Sequence, residues 1–141
     1  MPDAARLTEI VDALAEARGR TLAVLDPVPI ADQQRQVSEL MSPLCWDLAH
    51  IGHYEELWLV RTLAGAAPTD QLYDDVYDAF KHARRERVSL PILDALGARE
   101  FVAAVRARTL ATLDDLGPDA LACGASDPLL DGGFVYGMVA Q

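Results

Sequence analysis

Two cysteines, Cys45 and Cys123, are all that the 141 residues contain, and they lie far apart with no Cys-x-x-Cys spacing. That excludes a disulfide framework, fits free thiols in a reducing compartment, and gives neither residue the look of a metal site by itself. Basic residues are scarce: 12 Lys and Arg face 22 Asp and Glu, for a formal net charge of −10. Such a field repels phosphate backbones, so nucleic acid is not an expected partner, and the single short basic stretch runs from Lys81 to Arg87. No stretch approaches the roughly 20 apolar residues that cross a bilayer. The start, Met1-Pro2-Asp3-Ala4-Ala5-Arg6, lacks the basic head and apolar stretch of a secretory signal. The expectation is a cytoplasmic protein with no membrane partner. Gly-x-Gly-x-x-Gly, Walker-type, Gly-x-Ser-x-Gly and His-Glu-x-x-His motifs are all missing, which argues against nucleotide binding and serine-type hydrolysis.

What is present is material for a core. Hydrophobic residues make up 51% and charged residues 24%, a balance that argues against disorder. The length suits one domain of roughly 100–200 residues. Leu7, Ile10, Val11, Leu14, Arg18, Thr21, Leu22 and Leu25 follow helical spacing, with Asp3 placed to cap and Asp26-Pro27 to stop the helix. A long connection from Asp26 to Met41 holds at most a helical turn near Gln33 to Val37. Ser42-Pro43 reads as a cap and first turn, opening a widely buried helix that runs to about Leu63. Tyr73, Tyr77 and Phe80 are spaced for one face of a short helix, followed by a basic loop. Ala98 to Leu116 is a further helix, its face made of Phe101, Val102, Val105, Thr109, Thr112, Leu113 and Leu116, with Gly117-Pro118 as its stop. A last pattern, Phe134, Val135, Met138 and Val139, begins a helix that Gln141 leaves barely two turns long. Strand alternation and internal repeats are absent, so the predicted fold is all-α, a bundle of about four helices whose last member is truncated.

Chemistry concentrates in Trp46-Asp47-Leu48-Ala49-His50-Ile51-Gly52-His53-Tyr54-Glu55-Glu56. On a helix Asp47, His50, His53 and Tyr54 lie three or four residues apart, so some share a stripe. A buried His needs partners for both ring nitrogens; His50 therefore reads either as a metal ligand or as a hydrogen-bonded core residue. His53 reads as partly exposed, Glu55 and Glu56 as a solvated helix face, and Trp46 and Trp58 as core aromatics. Arg84 and Arg87 can clamp a carboxylate with forked hydrogen bonds or form a solvated basic turn. Asp74, Asp75 and Asp78 match no calcium loop and read as surface charge.

The run Leu40-Met41-Ser42-Pro43-Leu44-Cys45-Trp46-Asp47-Leu48-Ala49-His50-Ile51-Gly52, continued by Glu55-Glu56-Leu57-Trp58-Leu59, closely resembles the N-terminal region of the hercynine oxygenases, the iron-dependent sulfoxide synthases of ergothioneine biosynthesis. Tyr77-Asp78-Ala79-Phe80 with His82-Ala83-Arg84-Arg85-Glu86-Arg87, and Asp127-Pro128-Leu129-Leu130 with Gly133-Phe134-Val135-Tyr136-Gly137-Met138-Val139, resemble the same family. The resemblance implies a DinB-like four-helix bundle and a non-haem Fe(2+) ion held by three His. One of these sits on the Trp-Asp-Leu-Ala-His helix, the position of His50; two come from a later His-x-x-x-His motif that would follow Gln141. It also implies a C-terminal domain akin to the formylglycine-generating and lectin-like fold, carrying a catalytic Tyr. By this resemblance residues 1–141 are the N-terminal bundle of a longer two-domain enzyme, inactive alone, with no catalytic residue of its own. The reaction implied joins the sulfur of γ-glutamylcysteine to the imidazole of hercynine with O2, giving a sulfoxide. Such chemistry needs open coordination positions on a metal fixed by neutral ligands. Arg84 and Arg87 match the basic motif that would hold a carboxylate of the thiol substrate, with Arg85 leaving open which pair points inward. Two other readings compete: a DinB-like thiol-dependent metalloenzyme, and a non-catalytic helical interaction module with an apolar dimer surface.

Overall fold

The computed structural model describes residues 4–121, 124 and 127–141 in full, and the backbone of residues 2 and 3; Cys123 lies outside the described residues. Among the described residues six α-helices follow in order: α1 (Pro2–Leu25), α2 (Ile30–Gln33), α3 (Leu44–Glu55), α4 (Tyr73–Val76), α5 (Ala95–Leu116) and α6 (Phe134–Val139). No strand occurs among the described residues, so the all-α expectation is met. No described helix is long and apolar enough to cross a membrane.

The bundle is made by α1, α3, α5 and α6, with α3 packed most extensively on α5. One cluster gathers Trp46, Leu48, Ala49, Val76, Tyr77, Phe101, Val102 and Val105 between α3, α4 and α5. A second joins Ile10, Leu14, Leu59, Leu113, Leu121, Val135 and Tyr136 where α1, α5 and α6 converge. The two long helices approach closely because Gly52 has no side chain: a Cβ there would lie 2.7 Å from Val102 Cγ1 and 3.1 Å from the Phe101 ring.

Several boundaries differ from expectation. Helix α1 begins at Pro2, a residue suited to the first helical position, so Asp3 lies inside its first turn and not before it. The short turn α2 comes earlier than expected, started by Pro29; Gln33 is buried and its Nε2 donates to Leu25 O (3.2 Å) and Val28 O (2.8 Å). Ser42 does not cap α3, because Pro43 occupies the cap position and the Ser42 hydroxyl accepts from Arg87 Nη1 at 2.8 Å. Helix α3 gives way at Glu56 to a π-helical stretch, Glu56–Thr62, in which the Thr62 hydroxyl donates to the Leu57 carbonyl at 2.7 Å. Helix α5 starts three residues earlier than expected, where the Asp94 carboxylate accepts from the Gly97 amide at 2.7 Å. Phe80 does not share a helical face with Tyr73 and Tyr77, since α4 stops at Val76 and leaves Phe80 fully exposed. In α6 Val135 is buried as expected, but Phe134 is exposed and Tyr136 is the buried ring.

Candidate functional site

The two histidines of α3 have different surroundings. His50 is half-buried, and its Nδ1 lies 2.8 Å from the Tyr77 carbonyl oxygen. A carbonyl only accepts, so Nδ1 carries the proton and Nε2 keeps a lone pair in the neutral ring. His53 is buried, at 8% exposure, and its Nε2 lies 2.8 Å from Asp74 Oδ1. The expectation that His53 is partly exposed therefore fails: its short approach to the α4 segment hides it. Asp74 also accepts from Arg61 at 2.6 and 3.1 Å. That guanidinium holds the Asp74 carboxyl down to about 2, so Asp74 is a built ion pair and more than surface charge.

Glu55 and Glu56 overturn the solvated-face reading, being 1% and 0% exposed. Glu55 accepts from Arg18 Nη2 (3.3 Å), Arg106 Nη2 (2.9 Å) and Thr109 Oγ1 (2.9 Å), tying α1 and α5 to α3. Glu56 accepts from Arg108 Nη1 (2.9 Å), the Thr69 amide and the Thr69 hydroxyl. Arg18 was the discordant member of the α1 stripe, and a charge inside an apolar stripe is the sequence signal for such a buried partner. Burial, with Arg106 alongside, lowers Arg18 from its usual range.

Two grooves meet at His50. The larger, about 610 Å³, is lined by Arg18, Thr21, His50, Tyr54, Arg106 and Gln141. The other, about 470 Å³, is lined by Ser42, Trp46, Asp47, His50, Arg84 and Arg87. Arg87 is the inward member of the basic motif, 6% exposed, while Arg84 and Arg85 are exposed. Its Nε, Nη1 and Nη2 donate to His82 O (3.2 Å), Ser42 Oγ (2.8 Å) and Ala79 O (3.0 Å). A guanidinium has five N–H groups, so one on each terminal nitrogen is left over. Arg84 Nη1 donates to Leu40 O at 3.1 Å on the rim. Asp47 faces the same groove; burial pushes its carboxyl up, against the pull of Arg87. Cys45 is buried and forms no disulfide among the described residues, and burial raises its thiol.

The donor chemistry at His50 fits one position of a metal centre: an imidazole whose Nδ1 is committed to a backbone carbonyl, leaving Nε2 as the nitrogen for a metal. Among the described residues no group of three or more His, Cys, Asp or Glu side chains is gathered to hold a metal ion. Trp46, which the sequence placed only in the core, turns out to pack against both His50 and Arg87, with ring centroids 4.9 Å apart for His50 and the Arg87 Cζ 3.9 Å from the ring centroid.

A model of the DinB superfamily matches residues 13–141. The hercynine oxygenase of Mycolicibacterium smegmatis is 48% identical over 112 residues, 78% of this chain and 26% of that relative. That of Mycolicibacterium thermoresistibile is 46% identical over 114 residues, covering 79% and 25%. That of Mycobacterium tuberculosis is 45% identical over 108 residues, covering 75% and 25%. The chain thus spans about a quarter of the length of the curated relatives it matches. With the helical bundle, the family match across nearly all of the residues and these relatives in agreement, the chain belongs to the DinB superfamily and is similar within it to the hercynine oxygenases.

Proposed function

We propose that these residues are the iron-binding bundle of a hercynine oxygenase, a cytoplasmic, O2-dependent oxidoreductase joining γ-glutamylcysteine to hercynine. The observation that carries the reading is the position of His50, at the wall common to two grooves, with Nδ1 committed to the Tyr77 carbonyl and Nε2 left as the donor. Iron(II) held there would supply open coordination positions and the redox chemistry that O2-dependent C–S bond formation requires. The Tyr77 carbonyl holds the Nδ1–H and so orients the His50 ring with Nε2 toward the grooves. Arg87, already fixed by three protein acceptors, offers its two spare N–H groups to a carboxylate of the thiol substrate, and Arg84 adds charge at the rim.

One His does not impose a three-ligand geometry, so the remaining ligands and the domain that completes the site are proposed to lie outside residues 1–141. The 141-residue chain is expected to bind iron(II) weakly and to be inactive. Anaerobic iron(II) titration tests this. Weak binding abolished by His50→Ala is the expected result; tight one-to-one binding that survives His50→Ala contradicts it.

A further inference from the structure

We infer that Trp46 is a positioning residue that holds His50 and Arg87 against one ring, so that the nitrogen offered to a metal and the guanidinium offered to a carboxylate share a single support. The inference rests on the function proposed above for those two residues. Trp46 is 1% exposed, and its Nε1 donates to the Val76 carbonyl at 2.8 Å. The next carbonyl along the chain, that of Tyr77, accepts from His50 Nδ1. Two consecutive carbonyls at the end of α4 therefore fix two aromatic rings one turn apart on α3. The rings stack with only 12° between their planes. Arg87 reaches the indole from the turn Arg84–Ser89, and its planar, weakly hydrated guanidinium is suited to lie on an aromatic face. Its hydrogen bonds to Ala79, His82 and Ser42 hold the group in plane but leave its face to Trp46. The Nε1 bond satisfies a buried indole N–H in any role; what volume filling alone does not require is one ring face against His50 and the guanidinium of Arg87 on the same indole.

The test uses the metal-free chain and needs neither iron nor thiol. Nuclear magnetic resonance reads the His50 tautomer from its ring nitrogen shifts and the solvent exchange of the Arg87 Nε–H. In Trp46→Leu the Arg87 Nε–H is expected to exchange at least about tenfold faster, with the His50 shifts moving toward a tautomer mixture. Trp46→Phe, which keeps a ring face, is expected to restore both signals most of the way. A folded Trp46→Leu variant in which both signals match the parent chain overturns the inference. Arg87→Met leaves the indole itself in place and gives a second reading: it should move the Trp46 Nε1–H and His50 ring signals, and unchanged signals in the folded variant would equally overturn the inference. A confirmed stack in a full-length protein whose turnover needs no iron would sink the functional proposal alone.

Discussion

Tyr136 is a buried ring whose hydroxyl finds no hydrogen-bond partner among the described residues, and burial pushes it up to about 12. Removing an unpaired buried hydroxyl relieves a desolvation cost, so Tyr136→Phe should leave stability unchanged or raise it by about 1 kcal/mol in urea denaturation. A loss of more than about 1 kcal/mol would show that the hydroxyl has a partner. Asp74 makes the opposite case. Its carboxyl sits at about 2 against an ordinary 3.8, chiefly through Arg61, so its stabilisation is present above about pH 4 and is lost as pH falls toward 2. Asp74 is 41% exposed, so water screens the pair and the effect should stay under about 1 kcal/mol. The stability difference between the parent chain and Asp74→Asn should shrink between pH 5 and pH 2.5, about the window these values define; a difference that does not depend on pH would contradict the ion pair. At this scale the sequence disclosed identities better than neighbours. His50 and Arg87 were legible as candidates, but the partner of His50 is a backbone carbonyl, which no side-chain pattern announces.

Helix pairing turns on one missing side chain. Gly52→Ala would gain about 1 kcal/mol of helix propensity, yet its Cβ would press on Val102 and Phe101, and overpacking of that kind costs about 1–3 kcal/mol. A net loss of about 1 kcal/mol in chemical denaturation is expected; a more stable variant would mean that α3 and α5 separate freely. The long elements were readable because their apolar periodicity is strong, as the buried Phe101, Val102, Val105 and Leu113 of α5 illustrate. The short ones were not. Ser42 stands one residue too early to cap α3, and its hydroxyl is recruited by Arg87 from a turn 45 residues away. Phe80 fits the helical spacing but lies beyond the end of α4, and spacing carries no information about where a helix stops. The π-helical stretch after Glu55 has no sequence signature comparable to a proline or glycine, and such stretches recur at functional sites.

Across the molecule, Glu55 is the charged tie between three helices. Its truncation to Ala would leave the partly buried Arg18 and Arg106 beside each other without a counter-charge, which should cost about 3 kcal/mol, the lower end for a buried pair, while a loss below about 1 kcal/mol would show that the two arginines find other partners. Sequence alone assigned this residue to solvent because two adjacent glutamates on a helix are usually exposed. The partners come from α1 and α5, and only the bundle brings them together. The fold class and the family were legible from one long motif and its helical setting, whereas the polar core was not.

The most direct test of the functional account is a comparison of the full-length polypeptide carrying these residues with its His50→Ala variant, measuring iron content and sulfoxide formation from hercynine, γ-glutamylcysteine and O2. The account predicts that the parent protein holds iron and makes the sulfoxide, and that His50→Ala loses both by at least about tenfold. A variant that keeps its iron and its turnover would contradict the assignment of His50, and with it the reading of this bundle as the part of an iron site that supplies one of its three ligands.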